Sequence, residues 1–371
     1  KTHVSSTEPL SPRLHQAYAQ LIADRIGLTL RKNDQASFQN FIFSRLEAIE
    51  FKVPEEYYLL LNENTEQSNQ EWTLLISTIT NIESFFFRDK GQFNLLKNYI
   101  LPTLIEQRAR EKTLRICSAG CSTGEEPYSI AILLLLADLI PDLNDWDLKI
   151  LGIDINSTAI ERAKAGIYRP WSFRGVESAI LERFFKESDN HYQIDGVIKK
   201  MVDFQIGNLV DSSFLDPPLD VTDMDLILCR NVFIYFNNAA IGKILDKFYN
   251  ALRPSGYLLV GHTELHGQQS NKLHIKMFDE SIAYQRPVNE ATQPASEFIM
   301  TPPIPVASEP AMDTCSDQEL NDLFKGSDIR MNQVALNLLR QLPGDSRIAK
   351  LGNRTASELI LQLEHTLKET D

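Results

Sequence analysis

The chain has 371 residues, of which 43% are hydrophobic and 23% charged, a composition typical of globular proteins with two or more domains. Its formal net charge is -13, which argues against nucleic-acid partners and favours a small cationic or zwitterionic ligand. The longest apolar run, Ile130 to Leu136, is far shorter than the roughly 20 residues that a membrane span requires.

Residues 1–90 are predicted to form a small helical domain and its connecting segment. Apolar residues recur at three- and four-residue spacing in 14–26, 38–49 and 72–79, the periodicity of short amphipathic helices. No charged region followed by an apolar stretch precedes them, so the sequence predicts no secretory signal and a cytoplasmic protein. The four cysteines have no framework spacing, which fits a reducing compartment without disulfides.

From residue 91 to residue 286 apolar strands alternate with helices. Strands are predicted at 114–117, 148–153, 224–229 and 257–260, and helices near 125–140, 157–165 and 237–252. This alternation predicts an α/β fold, a doubly wound and mostly parallel sheet. Between Tyr168 and Asn208 the alternation breaks, and short strands around a turn at Gly196 predict an inserted β subdomain over about 169–207.

The last part of the chain divides into a linker and a tail. Residues 287–316 are rich in proline and lack glycine, which predicts an extended, semi-rigid linker. Residues 317–371 contain two helical patterns, and the sequence assigns them no role.

The loops that follow the predicted strands carry the chemistry, because ligands of open parallel sheets bind beyond the carboxyl ends of the strands. After the first strand, Gly120 and Gly124 allow the backbone to approach a ligand closely, and Ser122-x-x-Glu125 predicts a capping box. The Gly-x-x-x-Gly spacing differs from those of dinucleotide and phosphate loops. Glu125 and Glu126 would repel phosphate but attract the ammonium group of an amino-acid cofactor. A capped helix with solvated acids is the alternative interpretation.

Three later loops add polar side chains at the same predicted edge. Asp154 ends the second strand, where its carboxylate can bind both hydroxyls of a ribose, although an Asp there is also a common helix cap. Asn208 has the donor and acceptor needed to read an adenine edge. The fourth strand ends at Cys229 and is followed by a polar cluster that includes Arg230, Asn231 and Tyr235.

Taken in order, these segments resemble the motifs of the chemotaxis receptor methyltransferases, the CheR family, over roughly residues 10–286. The matching segments are Cys121 to Ser129, Asp154-Ile155 with Ala163 to Tyr168, Asn208-Leu209, Cys229 to Val232 with Ile234 to Phe236, and Gly261 to Glu264. The resemblance implies a Rossmann-like enzyme that transfers a methyl group from S-adenosylmethionine to glutamate side chains. The products would be glutamate methyl esters and S-adenosylhomocysteine, and the partners the cytoplasmic domains of methyl-accepting chemotaxis receptors.

The resemblance also implies roles for particular residues. Ser84-Phe-Phe-Phe-Arg88 looks like the family's Thr-x-Phe-Phe-Arg, which would place the Arg88 guanidinium near cofactor and substrate. Cofactor contacts are implied for Ser84, Arg88, Glu126, Asp154, Asn208, Leu209, Cys229 and Arg230, with Asn231 adjacent, and Gly120 is added for its close backbone approach. We hypothesise that Arg88 orients the acceptor carboxylate, while Tyr235 and Arg230 shape the donor side.

The sequence departs from the family pattern in two places. The family often has Asn six residues before the Arg, where this chain has Ile82, preceded by Asn81. The second helix of the family's N-terminal domain is often rich in Arg, but residues 38–50 contain only Arg45. Receptor docking through other surfaces, or a different receptor, therefore remains open.

Other functions fit the sequence less well. An amine methyltransferase typically has Asn/Asp-Pro-Pro-aromatic after the fourth strand, whereas Asp216-Pro-Pro-Leu219 lacks the aromatic and precedes that strand. A scaffold protein that retains the fold is the non-enzymatic alternative. His262-x-x-x-His266 has the spacing of paired metal ligands, but its Glu264 is misplaced for His-Glu-x-x-His, so we predict no metal site.

Overall fold

The structure, a computed structural model, describes residues 9–31, 34–136, 145–217, 219–262, 264–265, 272–288, 296–298, 336, 347–348 and 354–369. The chain divides into two compact units, Lys1–Pro302 and Pro303–Asp371. Apart from 287–288 and 296–298, the predicted linker lies outside the described residues, as does much of the tail. No helix within the described ranges is long and apolar enough to cross a membrane.

Four helices form the N-terminal part of the first unit: α1 (Pro12–Ile26), α2 (Gln35–Ala48), α3 (Pro54–Asn62) and α4 (Glu66–Ile79). Ser11 caps α1 by accepting a hydrogen bond from the Leu14 amide, and the helix ends at Gly27, which has a left-handed φ of 75°. The four helices enclose a common core around the fully buried Tyr18, Ile42 and Leu75. The sequence did not predict α3.

The second part of the unit contains the main sheet. Its helices are α5 (Lys90–Leu95), a π-helical turn (Leu96–Ile100), α6 (Leu101–Gln107), α7 (Glu125–Leu136), α8 (Ser157–Ala165), α9 (Ser178–Phe184), α10 (Gly196–Lys200) and α11 (Asn238–Ala251). Its strands are β1 (Thr113–Ala119), β2 (Asp147–Asp154), β3 (Ile167–Tyr168), β4 (Phe185–Ser188), β5 (His191–Ile194), β6 (Val202–Ile206), β7 (Met224–Cys229), β8 (Leu252–Val260), β9 (His274–Met277), β10 (Ile282–Gln285) and β11 (Ser296–Phe298).

The main sheet has the order β11-β9-β10-β8-β7-β1-β2-β6. The five consecutive strands β8-β7-β1-β2-β6 pair with one another in parallel. Strand β10 is antiparallel to both β8 and β9. The chain proceeds from β1 to β2 on one side and later returns to β7 on the other, so the strand order reverses at β1. The predicted α/β fold is confirmed, and a ligand crevice is expected at this switch point.

The inserted subdomain is smaller than the sequence predicted. Its three-stranded antiparallel sheet has the order β3-β5-β4, whereas β6 pairs in parallel with β2 and belongs to the main sheet. Gly196 begins α10 instead of a turn, because the Asp195 side chain accepts from the Val197 amide and caps a short helix. Alternating apolar residues in β6 look the same in either sheet, so the pattern could not assign it.

In the second unit the structure describes a short antiparallel pair, β12 (Arg347–Ile348) and β13 (Arg354–Thr355). It is followed by α12 (Ala356–Glu369), which coincides with one of the two helical patterns of the tail. Thr355 and Glu358 form a capping box at the start of α12: the Thr355 hydroxyl accepts from the Glu358 amide, and the Glu358 carboxylate accepts from the Thr355 amide.

Candidate functional site

A cavity lies at the carboxyl edge of the main sheet, next to the switch point. Nearly all of the predicted site residues line it: Ser84, Arg88, Gly120, Glu126, Asp154, Asn208, Leu209, Arg230, Asn231 and Tyr235. The exception is Cys229, whose side chain is fully buried in β7 behind the cavity wall. Asn81 and Ile82, which occupy the position where the sequence departs from the family, also line the cavity.

The loop after β1 approaches the cavity in a conformation that requires glycine. Gly120 has φ +80°, and a Cβ at this position would collide with the Val232 side chain. The amides of Gly120 and Cys121 both donate to the Ile153 carbonyl, at 2.7 and 3.0 Å. These contacts fix the loop against β2, so the Gly120 backbone forms part of the cavity wall.

The capping box predicted at Ser122 does not form. The Ser122 amide donates to the Asp154 carboxylate at 2.9 Å, and the Ser122 hydroxyl donates to the Ile82 carbonyl. Glu125 instead accepts from the hydroxyls of Thr123 and Ser172 at 2.6 and 3.1 Å. It is only 2% exposed, and burial raises its pKa. Of the two acids at the start of α7, Glu125 is therefore structural, and only Glu126 lines the cavity.

Arg230 lies at the centre of a buried polar network. Its Nη1 donates to Glu126 at 2.9 Å, its Nε donates to the Gln92 side chain, and its Nη2 donates to the Arg88 carbonyl. The side chains of Arg230 and Glu126 are 3% and 15% exposed. Glu126 also accepts from the Ser118 hydroxyl at 2.7 Å. The guanidinium thus joins β7, α5, α7 and the segment that carries Arg88.

Asp154 holds two loops together at the end of β2. Its carboxylate accepts from the amides of Ser122 and Asn156, at 2.9 and 2.8 Å. Burial raises the pKa of Asp154, and these backbone hydrogen bonds oppose the effect. Each oxygen retains lone pairs beyond these bonds, so the carboxylate remains able to accept from a ligand hydroxyl.

The helical part closes one side of the cavity. Ile26, Leu28 and Ile79 line it, although no local pattern in the sequence predicts this long-range contact. The Asn208 side chain donates to the Arg25 carbonyl at 2.9 Å and accepts from the Val210 amide at 3.2 Å. The Asn208 side chain, which the sequence predicts to contact an adenine edge, thus also attaches its loop to the N-terminal helices.

Tyr235 is held by the helical part on three sides. Its carbonyl accepts from the Thr29 amide at 2.8 Å, and the Arg31 guanidinium lies 4.4 Å from the centre of its ring. The Asn81 amide lies 3.4 Å from its hydroxyl. Arg88, by contrast, contacts its own segment: Nη1 lies 3.4 Å from the Glu83 carbonyl, and the guanidinium lies 5.5 Å from the Phe85 ring centre. Its charge is partly exposed and has no acidic side chain bound to it among the described residues.

Sequence reasoning missed the role of Glu264. Its carboxylate accepts from the amides of Gly261 and Asn231 at 2.6 and 2.8 Å, and the Ile234 amide lies 3.4 Å away. These bonds attach the loop after β7, which carries Tyr235, to the loop after β8. Burial raises the pKa of Glu264 against the effect of those bonds. The sequence offered one signal for this role, since Glu264 lies in the loop that follows β8.

His262 belongs to the polar network around Arg230. Its Nε2 lies 2.6 Å from the Asp89 carboxylate, and Asp89 in turn lies 4.0 Å from Arg230. Burial tends to raise the pKa of Asp89, but the hydrogen bond and charge of His262 outweigh it and lower the pKa. His266 lies outside the described residues, within which no cluster of three potential metal ligands is found.

The cavity fits a cationic nucleoside better than a phosphate. Glu126 and Asp154 are both acidic, and the Gly120 loop presents a close backbone without the spacing of a phosphate loop. S-adenosylmethionine carries an ammonium group, which can pair with a carboxylate, and a ribose diol, which can donate hydrogen bonds to a carboxylate. Glu126 and Asp154 would hold these groups, with Ile155 and Leu209 as apolar neighbours.

The chain is similar to known proteins over most of its length. A family model described as CheR methyltransferase, SAM binding domain, matches residues 82–281. Chemotaxis protein methyltransferase 2 of Vibrio cholerae is 31% identical over 264 residues, which cover 71% of this chain and 89% of that protein. The chemotaxis protein methyltransferase of Escherichia coli is 32% identical over 260 residues, which cover 69% of this chain and 85% of that protein.

A further relative carries a different name. The probable biofilm formation methyltransferase WspC of Pseudomonas aeruginosa is 33% identical over 264 residues, which cover 69% of this chain and 59% of that protein. Together with the family model, these matches confirm the predicted enzyme class and its cofactor, S-adenosylmethionine. The chain belongs to the CheR family of S-adenosylmethionine-dependent chemotaxis methyltransferases.

Proposed function

We propose that the chain transfers the methyl group of S-adenosylmethionine to glutamate side chains in the cytoplasmic domains of methyl-accepting chemotaxis receptors. The products are glutamate methyl esters and S-adenosylhomocysteine. The names of the relatives support methylation in chemotaxis, and the geometry of the cavity supports a carboxylate as the acceptor.

The observation that carries the choice of acceptor is the set of groups around the cavity. The described residues that line it include no histidine and no lysine. Three carboxylates line it, and each has protein partners: Glu126 is bound to Arg230, Glu83 is bound to Arg174, and Asp154 accepts from two backbone amides. An amine acceptor must lose a proton, but a glutamate, with an ordinary pKa of about 4.3, is already anionic at neutral pH. A site without a dedicated base therefore suits a carboxylate.

Bound S-adenosylmethionine supplies an electrophilic methyl group, and the protein has to place the acceptor in line with it. Arg88 is the partly exposed cation at the cavity, and its carbonyl is fixed by Arg230. We expect its guanidinium to orient the acceptor carboxylate through charge-assisted hydrogen bonds. Good orientation can lower the barrier by several kcal/mol, on the order of 7 where alignment is very good. Tyr235 and Arg230 complete the donor side.

The arginines that are often found in the second helix of the family are reduced to one in α2. The single arginine of that helix, Arg45, donates to the buried Glu71 through Nε and Nη2 at 2.8 and 2.7 Å. Glu71 also accepts from the Tyr57 hydroxyl at 3.0 Å. Arg45 is therefore committed to the core of the helical part, and we propose that receptor recognition relies on other surfaces.

The test uses methyl-labelled S-adenosylmethionine and receptor fragments that contain candidate glutamates. Methyl esters hydrolyse in mild alkali, so we expect the protein-bound label to be released as methanol. Replacement of the candidate glutamates by alanine should abolish the label. Label that survives alkali would indicate N-methylation and would contradict the proposed acceptor.

A further inference from the structure

An exposed stack of aromatic and guanidinium groups borders the cavity, and we call it the rim: Phe85, Trp171 and Arg174. Trp171 is 67% exposed, an unusual state for so large an apolar side chain. The Arg174 guanidinium lies 4.4 Å from the centre of the Trp171 ring and 3.7 Å from that of Phe85. Phe85 lines the cavity and is also the ring over which Arg88 lies. The rim is therefore continuous with the cavity wall.

The rim is held in a fixed position. Arg174 donates to the Trp171 carbonyl and to the Glu83 carboxylate, each at 2.9 Å. The Phe86 amide donates to the Ser172 carbonyl at 2.9 Å, and the Phe86 ring stacks on Phe173 with a centroid distance of 5.0 Å. The segment that carries Trp171 is thus attached to the segment that carries Arg88, so the exposure of Trp171 does not come from a loosely attached loop.

The charge around the rim differs from that of the whole chain. Residues 169–176, which include Trp171 and Arg174, contain two basic residues and no acidic residue, in a chain with a net charge of -13. Lys90 packs against Gly175, so its ammonium group adds a further positive charge. The acid within the rim's contacts, Glu83, is paired with Arg174. An anionic partner segment would be attracted to these positive charges.

We propose that the rim binds the acceptor segment itself, at residues next to the glutamate that enters the cavity. The inference rests on the proposed function. The bound segment is acidic and carries an apolar side chain that packs on Trp171, while its carboxylates face Arg174 and Lys90. Exposed tryptophan and arginine side chains are the residues that most often dominate binding energy at protein interfaces. The rim selects the segment, and Arg88 aligns its glutamate.

The first test replaces Trp171 by alanine and measures methyl transfer to a receptor fragment. We expect the KM for the fragment to rise roughly tenfold. Turnover at a saturating concentration of fragment should stay unchanged, and so should the affinity for the cofactor. Trp171→Phe should restore most of the loss, because it keeps an aromatic face. Leu59→Ala is the matched control, since Leu59 is 63% exposed on α3. It should leave the KM unchanged.

The second test addresses charge. For Arg174→Gln we expect a higher KM and a weaker dependence of KM on ionic strength than in the wild type. The melting temperature of each variant shows whether the fold is intact. An unchanged KM in Trp171→Ala would overturn the proposal. A rise in KM would also overturn it if cofactor affinity fell by the same factor or if the melting temperature fell markedly. If the wild type transfers no methyl group to any acceptor, the proposed function fails instead.

Discussion

Removing the guanidinium of Arg230 should destabilise the protein strongly, because it would leave the largely buried Glu126 carboxylate without its ionic partner. In Arg230→Met, Glu126 loses its ionic partner, with only 15% of its side chain exposed. Breaking such a pair from one side typically costs about 3 to 5 kcal/mol. Because Glu126 keeps the bond from Ser118 and some solvent contact, we expect a value near the lower end, ~3 kcal/mol.

The pairing can be isolated by a double-mutant cycle. Glu126→Gln in the Arg230→Met background removes the stranded charge, so we expect it to recover part of the loss, roughly 1 to 2 kcal/mol. Unfolding in urea, followed by circular dichroism, gives the four free energies of unfolding. The control is the exposed pair Lys272 and Asp246, 2.7 Å apart with side chains 55% and 62% exposed. Lys272→Met should cost less than ~1 kcal/mol. If the effects of the two site substitutions are additive within about 0.5 kcal/mol, Arg230 and Glu126 do not stabilise each other.

Three further predictions concern titratable groups around the cavity. Asp154→Asn should weaken binding of S-adenosylmethionine by about tenfold in calorimetry, since a ribose acceptor becomes an amide, and an unchanged affinity would remove Asp154 from the site. Burial raises the pKa of Glu264 in the folded state. Its contribution to stability is therefore fully present below the unfolded pKa and is lost as pH rises through the folded pKa. Relative to wild type, Glu264→Gln should therefore gain stability as pH rises from the unfolded pKa through the folded pKa, and a relative loss over that range would contradict this. The lowered pKa of Asp89 contributes stability that is present above its unfolded pKa and is lost as pH falls through the folded value. His262→Asn should reduce this loss of stability at acidic pH. An unchanged dependence of the free energy of unfolding on pH would show that Asp89 and His262 are not coupled.

The sequence predicted the parts of the fold that have a clear period. The strands β1, β2, β7 and β8 of the main sheet, and the helices α7, α8 and α11 that follow three of them, are continuous apolar or amphipathic segments, and they form where expected. The helix α3 was missed because its apolar residues form one run, Tyr57 to Leu61, without helical spacing. The strand β6 was placed in the insertion because strand pairing is a long-range property that alternation does not encode.

The candidate site could be located from the ends of the strands, but the partners of its side chains could not. Motif order placed Glu126, Asp154 and Arg230 at one edge, and they line one cavity. That Arg230 uses its donors within the protein, and that Glu264 fastens two loops, depends on distances between elements far apart in the chain. Those roles became visible only in three dimensions.

The central claim is that Arg88 acts on the acceptor and not mainly on the cofactor. The most direct measurement compares wild type with Arg88→Ala for turnover on a receptor fragment and for affinity toward S-adenosylmethionine. We expect turnover to fall by on the order of a hundredfold and cofactor affinity to change by no more than about threefold. Equal losses in both quantities would contradict this role of Arg88.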